Sequence, residues 1–340
     1  MKPMKKAIMI VSIVIGSILL ILLGARLYFR LPVYDYYSAS EKGFEIPGLS
    51  DGFVAQGLDY DDRGYFWMTG YMNDGTASPI YMVEKESGEL KKTVYLANED
   101  GSAYTGHAGG IAVSWDYVYV AGGSDRCIYA YSAEALANAA DGASVPALGK
   151  IDTKVSDEDY LEPACLYIDD NYNHLYVLEF YREPEYPTPA AHKMTTPAGD
   201  FNQAMAVAFP LDFEEGTFGV DPIPTCAISL PDHVQGMCMD ESSLYLSTSW
   251  GVSFSHIYQY SMSTMRNQQS KITFLGTEMP LYYLDSACLL KDYKIPPMSE
   301  EIVVVDGKLY TMCESASNKY IFGKLTSAQW CYATNLSEMD

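Results

Sequence analysis

Phe53-Val54-Ala55-Gln56-Gly57-Leu58-Asp59-Tyr60-Asp61-Asp62-Arg63-Gly64-Tyr65-Phe66-Trp67 reads as two strands about an Asp-rich turn. A polar or small entry leads into an apolar run, and after the turn an apolar residue and an aromatic open the second strand. The pattern returns at Gly109-Gly110-Ile111, Pro163-Ala164-Cys165, Gln235-Gly236-Met237 and Glu300-Glu301-Ile302. Each copy reaches its own aromatic, at Val118-Tyr119, Leu175-Tyr176, Leu244-Tyr245 and Leu309-Tyr310. Successive starts are 53, 54, 72 and 65 residues apart, room for a four-stranded unit with loops. A two-strand signature recurring at that period is the mark of a β-propeller blade. The fold class is therefore all-β, a propeller of five blades, or of six if a degenerate blade lies near residues 264–293.

Several segments fall between the copies. The longest interval holds the run 182–200 with Pro184, Pro187, Pro189 and Pro197, too proline-rich for a strand interior and expected as an exposed loop. Helical signal is sparse; the Ala-rich patch 133–140 suits one or two turns. Phe44-Glu45-Ile46-Pro47 is expected to lend a strand to the last blade, closing the ring and removing an open edge.

Ahead of the repeats, residues 7–25 run for 19 positions without a charge, preceded by Lys2, Lys5 and Lys6 and followed by Arg26 and Arg30. At about 1.5 Å per residue such a helix just crosses a hydrocarbon core of about 30 Å. A cleaved signal has a shorter apolar core and a small-residue cleavage site, for which Leu23-Gly24-Ala25 is the one candidate; a retained anchor is the favoured reading. The lysines before the span orient it N-inside, so the rest of the chain is expected outside the cytoplasm, secreted if the segment is removed. The domain reading is an anchor over 1–30, a stalk over 31–43 and a propeller over 44–340.

All 44 acidic residues but only 17 of the 22 Lys and Arg follow residue 30, a formal charge of −27. That field repels phosphate backbones, which excludes nucleic acid as a partner and leaves the anchor as the expected contact with membrane. The seven cysteines show no Cys-x-x-Cys and no zinc-ribbon spacing. Most read as small hydrophobes in strands, although a Cys226–Cys238 pair stays open.

In a propeller the first strand of each blade lines the axis, so aligning the repeats maps the channel mouth. Gln56, Gly109, Pro163, Gln235 and Glu300 share one register, with Glu162 and Glu301 one residue off it; two residues upstream, His107 coincides with His233. Three carboxylates, two amides and two imidazoles thus converge. Imidazole with carboxylate oxygen suits a divalent cation, making His107 and His233 the candidate metal ligands. Crowded carboxylates beside imidazole also suit acid–base work, making Glu162, Glu300 and Glu301 the candidate catalytic residues. The same groups equally suit capping of strand ends and holding channel water. Four residues past each aromatic come Tyr71, Gly123, Phe180, Ser249 and Glu314, with Trp250 and Glu179 adjacent. Gln56, Gln235, Tyr71, Trp250 and Glu314 are the candidate ligand-binding set, an aromatic wall with polar tips for a small molecule, glycan or peptide. His174 and His192 read as solvent-facing. No Gly-x-Ser-x-Gly elbow, His-Glu-x-x-His, P-loop or dinucleotide fingerprint occurs.

Phe53-Val54-Ala55-Gln56-Gly57-Leu58, followed by Thr69-Gly70, resembles over about 20 residues the opening of the glutamine cyclotransferases, five-bladed propellers that cyclise N-terminal glutamine. A Glu of that family's strand is replaced here by Trp67, so the resemblance implies architecture rather than activity. Gln56–Asp62, His107–Ile111 and the block from Pro296 to Ala316 are similar to exported bacterial propellers of the gluconolactonase and NHL-repeat groups over most of the chain. That likeness implies a fold and an exported address. The leading expectation is a tethered propeller binding a ligand at its mouth; the alternatives are a lactonase-like or glutaminyl-cyclase-like enzyme and a protein-interaction scaffold.

Overall fold

In the computed structural model, which describes residues 3–169 and 173–339, the repeats become five antiparallel four-stranded blades. Blade 1 is Phe53–Tyr60, Tyr65–Met72, Pro79–Glu84 and Leu90–Ala97; blade 2 is Ile111–Val113, Tyr117–Ala121, Cys127–Ser132 and Gly149–Asp152. Blade 3 is Pro163–Asp169, His174–Glu179, Ala204–Pro210 and Cys226–Leu230; blade 4 is Val234–Met239, Ser243–Thr248, Ser255–Ser261 and Leu289–Ile295. Blade 5 takes Ser299–Val305, Lys308–Cys313 and Trp330–Thr334 from the end of the chain and Ser40–Glu45 from its beginning, the last pairing Ser40 with Thr334 and Glu45 with Trp330. The closing strand therefore starts at Ser40, four residues ahead of the expected Phe44. The sixth-blade alternative fails: the hairpin Gln269–Phe274/Thr277–Tyr283 adds to the outer edge of blade 3 by parallel pairing with Cys226–Leu230.

The recurring aromatic explains the ring. Trp67, Tyr119, Tyr176, Tyr245 and Tyr310 are all buried, and each belongs to a different one of five hydrophobic clusters that fill the wedges between neighbouring blades. One large ring per wedge contributes on the order of 2 kcal/mol by burial and sets the angle between blades.

Helix α1 (Pro3–Arg30) is long and apolar enough to cross a membrane and is unburied along its apolar window. Lys2 of the expected flanking charge lies outside the described residues. The segment read as a stalk is not free: helix α2 (Tyr34–Ser38) follows a 3-10 turn at Leu31–Val33, and Val33 and Tyr36 are buried with Tyr245, Tyr293 and Tyr332 between blades 4 and 5. The Ala-rich patch forms one short helix, Ala133–Asn138, capped by the Ser132 hydroxyl, which accepts from the Ala135 amide. All seven thiols are free and none but Cys226 is even half-exposed; Cys226 and Cys238 are unpaired.

Candidate functional site at the channel mouth

Four of the five inner strands bulge at one register. Pairing skips Gln56 between Ala55 and Gly57, Ala164 between Pro163 and Cys165, and Gln235 between Val234 and Gly236, and it sets Glu300 and Glu301 opposite Met312. A bulge adds a residue whose side chain is re-aimed out of alternation, which is how Gln56, Gln235 and Glu300 come to the axis together. Ala164, not Pro163, holds this register, because the aromatic partners Asp59, Cys238 and Val303 correspond to Tyr167. The correction moves Glu162 on to the register of His107 and His233.

One residue further in, the inner strands close on each other. A Cβ on Gly110 would stand 2.4 Å from Cys165 Cα, and one on Gly236 would stand 2.7 Å from Glu301 Cα. Into this constriction Glu301 projects, fully buried: Oε2 accepts from the amides of Leu58 (2.7 Å) and Ile111 (3.0 Å), and Oε1 from that of Leu166 (3.0 Å). A single carboxylate from blade 5 thereby ties blades 1, 2 and 3. Burial pushes its pKa well up, and the three donors, which favour the charged form, pull against it. The channel is thus a cup closed by Glu301.

One wall of the cup is built on blades 1, 2 and 5. His107 Nε2 lies 2.6 Å from Gln56 Oε1, and Gln56 donates through Nε2 to Glu314 (3.2 Å). Tyr320 donates to the same Glu314 oxygen (3.3 Å), the His107 and Tyr71 rings meet at 4.6 Å with a tilt of 31°, and Lys319 donates to the Tyr71 hydroxyl (2.6 Å). Close packing by its neighbours, with the Lys319 charge adding to it, lowers His107 to about 4, although the residue as a whole keeps exposed surface; the imidazole is neutral near pH 7. Glu300 is 2% exposed, one of its oxygens has no hydrogen-bond partner, and burial followed by the Glu314 charge holds its carboxyl well above the ordinary range. Glu314 is raised by burial too, against the pull of Lys319, Tyr320 and Gln56.

The facing wall is built on blades 3 and 4. His233, Phe180 and Trp250 form a triangle of rings, with centroids 5.8 Å (His233–Phe180), 6.2 Å (His233–Trp250, near-parallel) and 6.0 Å (Phe180–Trp250) apart, the Arg182 guanidinium 3.8 Å over Trp250 and Tyr186 edge-on to Phe180 (5.3 Å). His233 has a left-handed backbone, φ 63°, as does Met298 at the matching register, φ 64°. Such backbone costs non-glycine residues about 1–3 kcal/mol; the amides of Ser249 and Glu314 donate to these two carbonyls and hold them. Glu162 stands between the walls, 4.0 Å from Arg126, its carboxyl raised by burial.

Of the sequence-predicted residues, Gln56, Tyr71, His107, Glu300 and Glu314 therefore gather on one wall of the mouth and His233 and Trp250 on the other, Glu162 stands between them, and Glu301 lies below them, bonded to strand amides. Among the described residues no three His, Cys, Asp or Glu side chains stand close enough to hold a metal ion; His107 is bonded to Gln56, and His233, two blades away, sits in an aromatic stack. Lys319, Tyr320, Arg182 and Arg126 were not legible, since all lie in loops outside the repeated strands. His192 also differs from expectation. The proline-rich run folds back so that His192, 2% exposed, bonds through Nδ1 to Glu179 Oε2 at 2.8 Å, while Pro184, Pro187 and Pro197 stay at the surface. His174 is half-buried at the start of its strand; the turn residues Asn171 and Tyr172 lie outside the described residues. A cleft of about 220 Å³ opens on the opposite face beside Asp62, Trp115 and Phe213, and no predicted site residue lines it.

No family description and no curated protein sequence matches the chain. Solved structures do. Myxococcus xanthus glutaminyl cyclase is similar at 12% identity over 87% of this chain and 94% of its own, with a TM-score of 0.44. A proposed 6-phosphogluconolactonase from Bacteroides uniformis follows at 14% over 76% and 78%, TM-score 0.41. Kuenenia stuttgartiensis hydrazine synthase matches at 10% over 76% of this chain, TM-score 0.36, and this chain spans 55% of it. At these distances no activity is carried across, and the five-bladed propeller assignment stands on the strand order itself.

Proposed function

We propose that the protein is a membrane-tethered, extracytoplasmic propeller that binds a small molecule, glycan or peptide at the channel mouth. The observation that supports this most directly is the pair of ring walls, Tyr71–His107 and Phe180–His233–Trp250, each flanked by a cation, above the polar residues Gln56, Gln235 and Glu300. Flat apolar faces with polar and charged edges match ligands of that amphipathic character. Helix α1 would serve as the tether, N-inside. An alkaline phosphatase fused after Asp340 is then active, and the fusion stays with membranes at high pH.

Binding is tested by calorimetry on the detergent-solubilised full chain with gluconolactone, a peptide with N-terminal glutamine, and a β-linked glucan hexasaccharide. Heat of binding to one of these, lost in the Phe180→Ala, Trp250→Ala double variant, supports the reading; no binding to any of the three, or binding indifferent to both substitutions, moves the assignment to a scaffold. A second reading has one observation in its favour. The unpartnered, raised carboxyl of Glu300 beside Glu314 suits an acid–base pair for lactone hydrolysis or cyclisation. Turnover of gluconolactone or the glutamine peptide that Glu300→Gln abolishes would establish it, and turnover unchanged by that substitution would remove it.

A further inference from the structure

The end of α1 is held by the loops that surround the mouth. Inner strands enter at the mouth, so the loops between second and third strands lie on that face; in blades 4 and 5 these are residues 249–254 and 314–329. Phe29 stacks on Phe322 at 5.7 Å, Tyr28 lies 6.3 Å from Phe254, and Arg30 Nη1 donates to Ser327 Oγ at 2.9 Å. Arg30 also lies 3.9 Å over the Tyr37 ring, whose hydroxyl donates to Thr326 O. The helix therefore leaves the propeller from the mouth face.

Length then places that face. The uncharged run ends at Ala25, and Phe29 is four residues on, a rise of about 6 Å. The headgroup region adds about 5–7 Å on each side of the hydrocarbon core, so the Phe29–Phe322 contact falls within it. The same loops present Ile321, 85% exposed, and Val252, 61% exposed, with Trp250 at 37%. Ile321 and Val252 belong to none of the hydrophobic clusters, and Trp250, packed on its inner side against His233 and Phe180, keeps an exposed edge; an interfacial aromatic beside aliphatic tips is what a headgroup layer accommodates. Arg26, Lys319 and Lys324 bring positive charge to the same level, on a domain that is otherwise acidic.

We propose that the propeller sits with its mouth turned to the bilayer, the tips of residues 249–254 and 314–329 in the lipid headgroup layer, so that the site opens on to the membrane surface. This rests on α1 being a retained span. The molecule holds its own control, because Trp115, 72% exposed, occupies a strand turn on the opposite face. The full chain is placed in phosphatidylcholine nanodiscs whose acyl chains are brominated near the headgroup, and Trp quenching is compared among the parent, Trp250→Phe and Trp115→Phe, each checked for native circular dichroism. The expected result is quenching that is lost in Trp250→Phe and kept in Trp115→Phe. A chain that floats with the discs at high pH but shows no quenching, or quenching unaffected by Trp250→Phe, overturns the inference and leaves the anchor standing. A chain that does not float overturns both.

Discussion

Removing the Glu301 carboxylate should loosen the whole ring. The Glu301→Ala variant strands the amides of Leu58, Ile111 and Leu166, all buried where inner strands meet. Each unsatisfied amide costs about 1–3 kcal/mol, so the loss is about 3 kcal/mol at the least, before any cavity penalty. At about 2–4 °C per kcal/mol for chains of a few hundred residues, that is a fall in Tm of about 6 °C or more. Glu301→Gln separates charge from hydrogen bonding. Its one oxygen can keep the Leu58 and Ile111 amides, while its NH2 then faces the Leu166 amide, donor against donor; one lost bond predicts about 1–3 kcal/mol, a fall between that of alanine and zero. The assay is near-ultraviolet circular dichroism during heating of the detergent-solubilised chain, with Glu300→Gln as reference. An alanine variant within about 2 °C of the parent, less than one lost bond would give, would refute the role of Glu301 as the tie between blades.

Three further outcomes are expected. Glu300 has a raised carboxyl, so its native state holds a proton that the unfolded chain has released; stability falls as pH rises above the ordinary 4.5 toward the folded value. Thermal scans from pH 4.5 to 8 should show that fall in the parent and a flatter profile in Glu300→Gln, and equal profiles would count against the assignment. His107 works in the opposite sense: its lowered pKa gives stability that is complete above the ordinary 6.5 and lost as pH falls toward about 4. Between those values His107→Gln should lose Tm less steeply than the parent, and parallel slopes would contradict the crowding described at the mouth. Burial protects the thiols, with Cys226, its pKa pushed up to about 11, the least covered. A thiol reagent should modify at most Cys226 in the native protein and all seven in denaturant; two or more reacting natively, or fewer than seven unfolded, would contradict the packing or reveal a disulfide.

What the repeats disclosed and what they hid have one physical origin. An aromatic that fills an inter-blade wedge must recur with the blade, so Trp67, Tyr119, Tyr176, Tyr245 and Tyr310 could be aligned by eye and counted as five. Bulges obey no alternation. Counting residues without knowing that Ala164 is the inserted one puts Pro163 at the register of Gln56 and leaves Glu162 out of line with His107 and His233. The bulge also separates two adjacent glutamates: Glu300 stays in the cup with an unpartnered oxygen, and Glu301 reaches past the glycines to three amides. Identical residue types one position apart thereby acquire different surroundings, one a buried carboxyl with an oxygen that lacks a hydrogen-bond partner and one holding the blades together. Loops escape the repeat entirely, which is why Lys319, Tyr320 and Arg182, each lying against a ring of the mouth, carried no periodic signal. Their arrival there follows from where the second strand of each blade ends. A propeller thus makes its scaffold visible in sequence and assembles its recognition surface from the segments that repeat least, so variation among relatives should concentrate in residues 180–203, 249–254 and 314–329 while Glu301 and the wedge aromatics hold. An alignment in which Glu301 varied as freely as Lys319 would contradict that division.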